Sequence, residues 1–273
     1  MSRAGSGLGE YSTLRAEREG EGVVLVTLNR PERLNALSFE MFEELGLLCG
    51  TLADDREARV VIFTGAGRGF CAGLDLDDAG ELKRMSPQQM LRGQERWVGS
   101  IAAVRTLPLP VIAAINGPAA GAGLALALMA DLRILARDAK LTTAFVRIGL
   151  TGGDAGMSWL LPRLVGLTHA SELLLTGAPI EAERAERIGL VNRVVAPDEL
   201  LGAARELASS IAAHNPFGIR LTKQVLQQNA DAPSLAAALE TENRNQVLIT
   251  QTDDMQEALV AYREKRAAEW TDA

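Results

Sequence analysis

The sequence predicts an α/β core followed by an all-helical tail. Short β-branched or apolar runs at residues 23–28 (VVLVTL), 60–64 (VVIFT) and 111–115 (VIAAI) are separated by stretches of helical period. Strands alternating with helices make an α/β arrangement. After residues 191–195 (VNRVV) the strand signals stop, and four helical patterns fill the rest of the chain. With 273 residues, 47% of them hydrophobic, the chain can bury a sizeable core.

Each element has its own warrant. Residues 1–12 are small and polar, lack the apolar centre of a secretory signal, and are expected to form a flexible lead. Residues 23–28 read as the first strand, closed by Asn29-Arg30-Pro31. Ser38 is placed as an N-cap, and Phe42, Leu45, Leu48 and Leu52 share one face of the following helix. Residues 60–64 form a buried strand that runs into GAGRGFCAGLDL. Ser86-Pro87 opens a helix whose face shows Met90, Trp97, Ile101 and Val104. A strand at 132–136 and an extended stretch at 141–148 lead to a glycine-rich turn, GLTGGDAG, and a helix from about Ala155. In the tail, residues 197–214, 216–230, 234–250 and 252–268 read as helices. The last carries Thr252 as N-cap, Asp253 and Asp254 in its first turn, and Arg263, Lys265 and Arg266 near its end. The expected organisation is a lead over 1–12, a core over 13–196 and a helical region over 197–273.

Composition narrows the function. A net charge of −7 argues against a nucleic-acid surface. The most apolar stretch, residues 121–130, is too short to span a bilayer and ends at Asp131, so no membrane partner is expected. Cys49 and Cys71 offer neither a disulfide framework nor metal-ligand spacing; a cytoplasmic location and no metal are the expectation.

Residues 111–131, VIAAINGPAAGAGLALALMAD, organise the chain. A buried strand meets a turn at Asn116-Gly117-Pro118, then a bend at Gly121, Ala122 and Gly123 opens an apolar helix. The first N–H groups of a helix lack internal partners and carry positive potential, and glycine lets another group approach them. Such a turn can receive an oxygen gaining negative charge; close helix–strand packing is the alternative. GFCAGLDL is a second turn of this kind, and two converging donors would make an oxyanion hole. Other motifs are weak. Gly65, Gly67 and Gly69 imitate a dinucleotide fingerprint, but Phe70 stands where its last small residue belongs. Gly156-Met157-Ser158-Trp159-Leu160 lacks the closing glycine of a nucleophile elbow.

FCAGLDL, INGPAAGAGLALALMADLRI, LLPRLVG and HASELLLTGAPIEAERAERIGLVNRVV, in this order, resemble the crotonase (enoyl-CoA hydratase/isomerase) family from about Val23 to the C-terminus. The resemblance implies a superhelix of ββα turns with a C-terminal helical trimerisation region, assembled as a homotrimer or a dimer of trimers. It implies an acyl-CoA thioester as the molecule bound, coenzyme A being part of the substrate and no separate cofactor being required. By matching motifs, the backbone N–H groups of Leu74 and Ala122 would form the oxyanion hole. Ala72, Asp75 and Leu76 would line the coenzyme A path, with the backbone near Arg33 and Leu34. Tyr262 and Lys265 match positions that reach a neighbouring subunit's coenzyme A; a solvated lysine at a helix end is the plainer reading of Lys265.

The departures bear on the reaction. Family hydratases carry one glutamate two residues after the glycine bend and another just before the next glycine-rich turn, where this chain has Ala125 and Phe145. Asp154 matches a catalytic aspartate of dienoyl-CoA isomerases and the nucleophile of aryl-CoA dehalogenases; the pattern also fits an N-cap for the helix near Ala155. Phe145, Val146 and Trp159 either shape an acyl pocket or are plain core. The expectation is proton transfer on an unsaturated acyl-CoA, isomerisation ahead of two-glutamate hydration. The rivals are an acyl-CoA-binding protein without chemistry and, lower, nucleophilic attack by Asp154, for Val146 stands where the dehalogenases carry an aromatic residue.

Overall fold

Six apolar or β-branched side chains in succession, each facing protein rather than water, put residues 23–28 inside a sheet covered on both faces. The protein, a computed structural model, is described here over residues 7–271. Its first strand lies earlier than expected: β1 (Leu14–Arg18) alternates buried Leu14 with exposed Arg15 and Glu17 and pairs antiparallel with β2 (Val23–Leu28) at the sheet edge. Its polar outer face hides it from a search for apolar runs. Of the lead expected to be flexible, residues 1–6 lie outside the described residues. Leu8, by contrast, is fully buried, and the backbone of Ser12 donates to Glu44.

From β2 the chain winds in repeated passes. Helix α1 (Phe39–Asp54) begins at the expected cap, the Ser38 hydroxyl accepting from the Met41 amide at 3.2 Å. Then follow β3 (Val60–Gly65), α2 (Leu76–Leu82), α3 (Pro87–Thr106), β4 (Val111–Ile115), β5 (Ala119–Ala120) and α4 (Ala122–Met129). The next pass is β6 (Leu132–Ala136), β7 (Lys140–Thr142) and α5 (Met157–Thr176); β8 (Ile180–Glu181), α6 (Ala182–Arg187) and β9 (Arg193–Val195) close the core. Among the described residues the main sheet has the order β1-β2-β3-β4-β6-β9, parallel from β2 onward. After each main strand a second, short extended piece pairs with its counterpart in the next pass. Leu37 bridges Leu74, Cys71 bridges Ala119, and β5 pairs with β7, all in parallel. One strand in the main sheet, one in this second ladder, then a helix: this is the ββα superhelix.

The stretch at 141–148 is not continuous strand. Ala144 takes φ +58°, which ends β7 and turns residues 145–148 into a tight helical turn. In the tail, α7 (Leu200–Ala212), α8 (Pro216–Asn229), α9 (Leu235–Ile249) and α10 (Asp253–Glu264) are the four expected helices. The last stops before residue 268 because Lys265 turns left-handed at φ +57°. Helix α8 is tied to the core by Lys223, which is 8% exposed. Its ammonium lies 2.7 Å from Asp131 and donates to the Leu109 carbonyl at 2.8 Å. Among the described residues no helix is long and apolar enough to cross a membrane.

Candidate active site

Three loops following β2, β3 and β4 lie side by side, joined main chain to main chain. The Ala72 amide donates to Leu34 at 3.0 Å, Leu37 to Gly73 at 2.7 Å, and Asp75 to Leu37 at 2.9 Å. On the other side Cys71 donates to Pro118 at 3.1 Å and Ala120 to Cys71 at 3.0 Å. Asparagine side chains hold the loops from behind. Asn35, fully buried, donates to the carbonyls of Ala66 and Gly69, and Asn116 accepts from Gly65 and donates to Gly67. In the sequence Asn116 reads as no more than a turn residue.

This stacking governs the two amides of interest. The ladder to Leu37 uses the Gly73 carbonyl and the Asp75 amide and leaves the Leu74 N–H out. Ala122 is the first residue of α4, so its N–H has no partner within the helix. Both residues stand at the same step beyond the bridged pair Cys71–Ala119. The backbones touch here: a side chain on Gly73, which sits at φ +98°, would start 2.8 Å from the Ala120 carbonyl oxygen and 3.6 Å from the Ala122 nitrogen.

Asp154 arrives from the loop before α5. The helix begins at Met157 with Gly156 at the cap position and no side-chain capping bond, so the N-cap reading of Asp154 is overturned. The cause is local: Ala155 at φ +47° and Gly156 at φ +79° break the helix before it can reach Asp154. The half-buried carboxylate is held otherwise. Its Oδ1 accepts from the Ala155 amide and from Gln94 Nε2, each at 2.7 Å.

Ala125 is fully buried in the first turn of α4, and Phe145 is 6% exposed. The Phe145 ring lies against the bend, 3.7 Å from where a side chain on Gly121 would start. Neither can move a proton. The other two candidates for an acyl pocket are placed elsewhere. Val146 packs its Cγ2 against Gly177 at the far end of α5. Trp159 is covered by Arg163 at 3.9 Å and Arg105 at 5.3 Å, and lines a separate cavity of about 440 Å³ with Asp131, Arg133 and Lys223.

Of the residues expected along a coenzyme A path, Ala72 is exposed beside Leu34, Leu76 is exposed, and Arg33 is exposed and paired with Asp77 at 2.6 Å. Asp75 does not line a path with its side chain. At 4% exposure its carboxylate faces inward, capping α2 through the Asp77 amide at 2.9 Å and pairing with Arg30 at 2.8 Å. Burial alone would raise this carboxyl; the Asp77 amide and the Arg30 guanidinium outweigh it and hold it below the usual range. Tyr262, 84% exposed, and Lys265 sit at the end of α10 with their side chains in solvent.

Gln94 was not among the candidates, though a signal for it exists. It falls four residues after Met90 and three before Trp97, on the apolar face of α3, where a polar side chain calls for a partner.

Comparison with known proteins adds a further finding. The family model described as enoyl-CoA hydratase/isomerase matches residues 18–273. A Mycobacterium bovis protein named "Probable enoyl-CoA hydratase echA12" is 40% identical over 266 residues, covering 96% of this chain and 93% of that one. The "1,2-epoxyphenylacetyl-CoA isomerase" of Escherichia coli K12 is 38% identical, covering 92% and 95%. Among solved structures, an enoyl-CoA hydratase from Bacillus anthracis superposes with a TM-score of 0.91 at 35% identity, covering 96% and 100%.

Proposed function

The chain belongs to the enoyl-CoA hydratase/isomerase family, and from that premise we propose that it isomerises unsaturated acyl-CoA thioesters with Asp154 as the single base. The observation that carries the reading is the exchange of side chains at the site. Counted along the motifs, Ala125 and Phe145 fall where the family's hydratases carry their two glutamates, while Asp154 is turned away from capping and held by Gln94.

The reaction balances with one base. For a 3-enoyl thioester, Asp154 takes a proton from the α carbon; the freed pair forms a double bond to the carbonyl carbon, and the carbonyl π pair moves onto the thioester oxygen. The N–H groups of Leu74 and Ala122 receive that charge. The electrons then return as the proton is delivered to the γ carbon, moving the double bond into conjugation. Each such donor is worth about 3 kcal/mol of transition-state binding, since its placement is fixed before charge develops. Water is not a reactant, and the Phe145 ring beside the bend removes one place where it would sit. The shuttle uses no metal or redox cofactor. The coenzyme A moiety would lie along Arg33, Leu34, Ala72 and Leu76, with Tyr262 and Lys265 supplied by a neighbouring subunit of a trimer.

The test is direct. With short- and medium-chain 3-enoyl-CoA esters, the absorbance of the conjugated thioester should appear, and Asp154→Asn should slow it by about 100- to 10,000-fold with ester affinity retained. A variant as fast as the parent protein removes Asp154 from the reaction. Binding without spectral change would make the chain an acyl-CoA-binding protein, and an ester trapped on Asp154 would make it a nucleophilic enzyme.

A further inference from the structure

We infer that Gln94 is a positioning residue for Asp154, its side-chain amide locking one carboxylate oxygen so that the other alone carries the substrate proton. The inference rests on the reading of Asp154 as the base.

The two oxygens of Asp154 have unequal surroundings. Oδ1 accepts two hydrogen bonds of 2.7 Å, one from Gln94 Nε2 and one from the Ala155 amide. Among the described residues Oδ2 has no donor. A carboxylate joined to its chain by rotatable bonds can present either oxygen in many directions, and two donors on one oxygen remove that freedom. The Ala155 contact alone is a weak guide, because it comes from the next residue and moves with the loop. Gln94 supplies a fixed point from another part of the chain, 60 residues away in sequence.

That fixed point is itself anchored. One turn along α3, Trp97 is 5% exposed and stacks on Phe39 of α1, with ring centroids 4.3 Å apart and planes within 2°. Gly93 lets the Trp97 ring lie flat on its own helix, since a side chain there would start 2.7 Å from the ring. The position of Gln94 is therefore set by the packing of α1 on α3, not by the loop that carries Asp154.

The chemistry of the amide suits the task. A neutral N–H donor orients the carboxylate without adding charge, whereas a lysine would pair with it and weaken it as a base. A glutamate would compete for the same proton. With Oδ1 committed, removal and return of the proton both occur at Oδ2, on one face of the acyl chain.

Two substitutions test this. Gln94→Met keeps the length of the side chain and removes the donor. It should lower kcat for 3-enoyl-CoA isomerisation on the order of 10- to 100-fold, as a misplaced reacting group does, with KM little changed. Gln94→His places an imidazole N–H at a similar distance from the backbone and should restore most of kcat. In the Asp154→Asn background, Gln94→Met should cause no further loss, because the residue acts only through the carboxylate. An unchanged kcat in Gln94→Met, equal losses in Gln94→Met and Gln94→His, or an additional loss on top of Asp154→Asn would overturn the inference. An inactive Asp154→Asn beside a fully active Gln94→Met would sink the positioning role alone; a fully active Asp154→Asn would sink the base assignment itself.

Discussion

At Gly73 the backbone sits at φ +98°, and the space where a side chain would begin is already filled by the Ala120 carbonyl oxygen, 2.8 Å away. Both facts demand glycine, and both place two main-chain segments in contact beside Leu74 and Ala122. Gly73→Ala should therefore force the loops apart. We expect a stability loss of about 1–3 kcal/mol, the usual cost of such backbone strain, in urea unfolding. The same variant should lose about 100-fold in kcat, because the donors shift relative to the oxygen they serve. A normal kcat in a folded Gly73→Ala protein would contradict the placement. Other features at this scale follow from spacing. Counting along the motifs singles out Ala125 and Phe145, and both side chains are buried. Whether Asp154 caps the helix was not legible. Aspartate is a favoured cap at that spacing, and what excludes it is the backbone turn at Ala155, which no composition rule anticipates. Gln94 was hidden for a different reason: its partner is distant in sequence, and only the fold brings them together.

Helix α2 shows how an element can depend on one buried carboxylate. It spans seven residues, none of them buried, so its own packing contributes little. Asp75 holds it through the cap bond to Asp77 and ties it to the loop after β2 through Arg30. The sign of the pH effect follows from the lowered carboxyl. In the unfolded chain Asp75 returns to its ordinary value of 3.8. Its contribution is thus complete above about pH 4 and is lost as pH falls through the lower folded value. The stability gap between the parent protein and Asp75→Asn should stay constant from pH 7 to pH 5 and close only below about pH 4. A gap that closes by pH 6, or that persists undiminished at pH 2, would contradict this. Strands buried on both faces, such as β2 and β4, were plain in the sequence because a run of apolar residues is enough to name them. Edge strand β1 and the turn after β7 were not. One mixes polar with apolar residues, and the other depends on a left-handed alanine.

Across the whole molecule, the superhelix is what sets loops distant in sequence side by side. Each pass adds a strand to the main sheet and a short extended piece beside the previous one, so Leu37, Leu74, Cys71 and Ala119 meet although they belong to different passes. The hydrogen bond from Gln94 to Asp154 likewise joins the helix of an earlier pass to the loop of a later one. The helical tail leaves Leu226, Leu235 and Val247 largely exposed. Charge that leaves the α carbon collects on the thioester oxygen, and the carbonyl vibration reports on that oxygen directly. With an acyl-CoA labelled at the thioester carbon, isotope-edited infrared spectroscopy of the bound ligand should show the carbonyl stretch below its frequency in water, since two pre-placed amides polarise the bond more than solvent does. A stretch at or above the frequency in water would contradict the account.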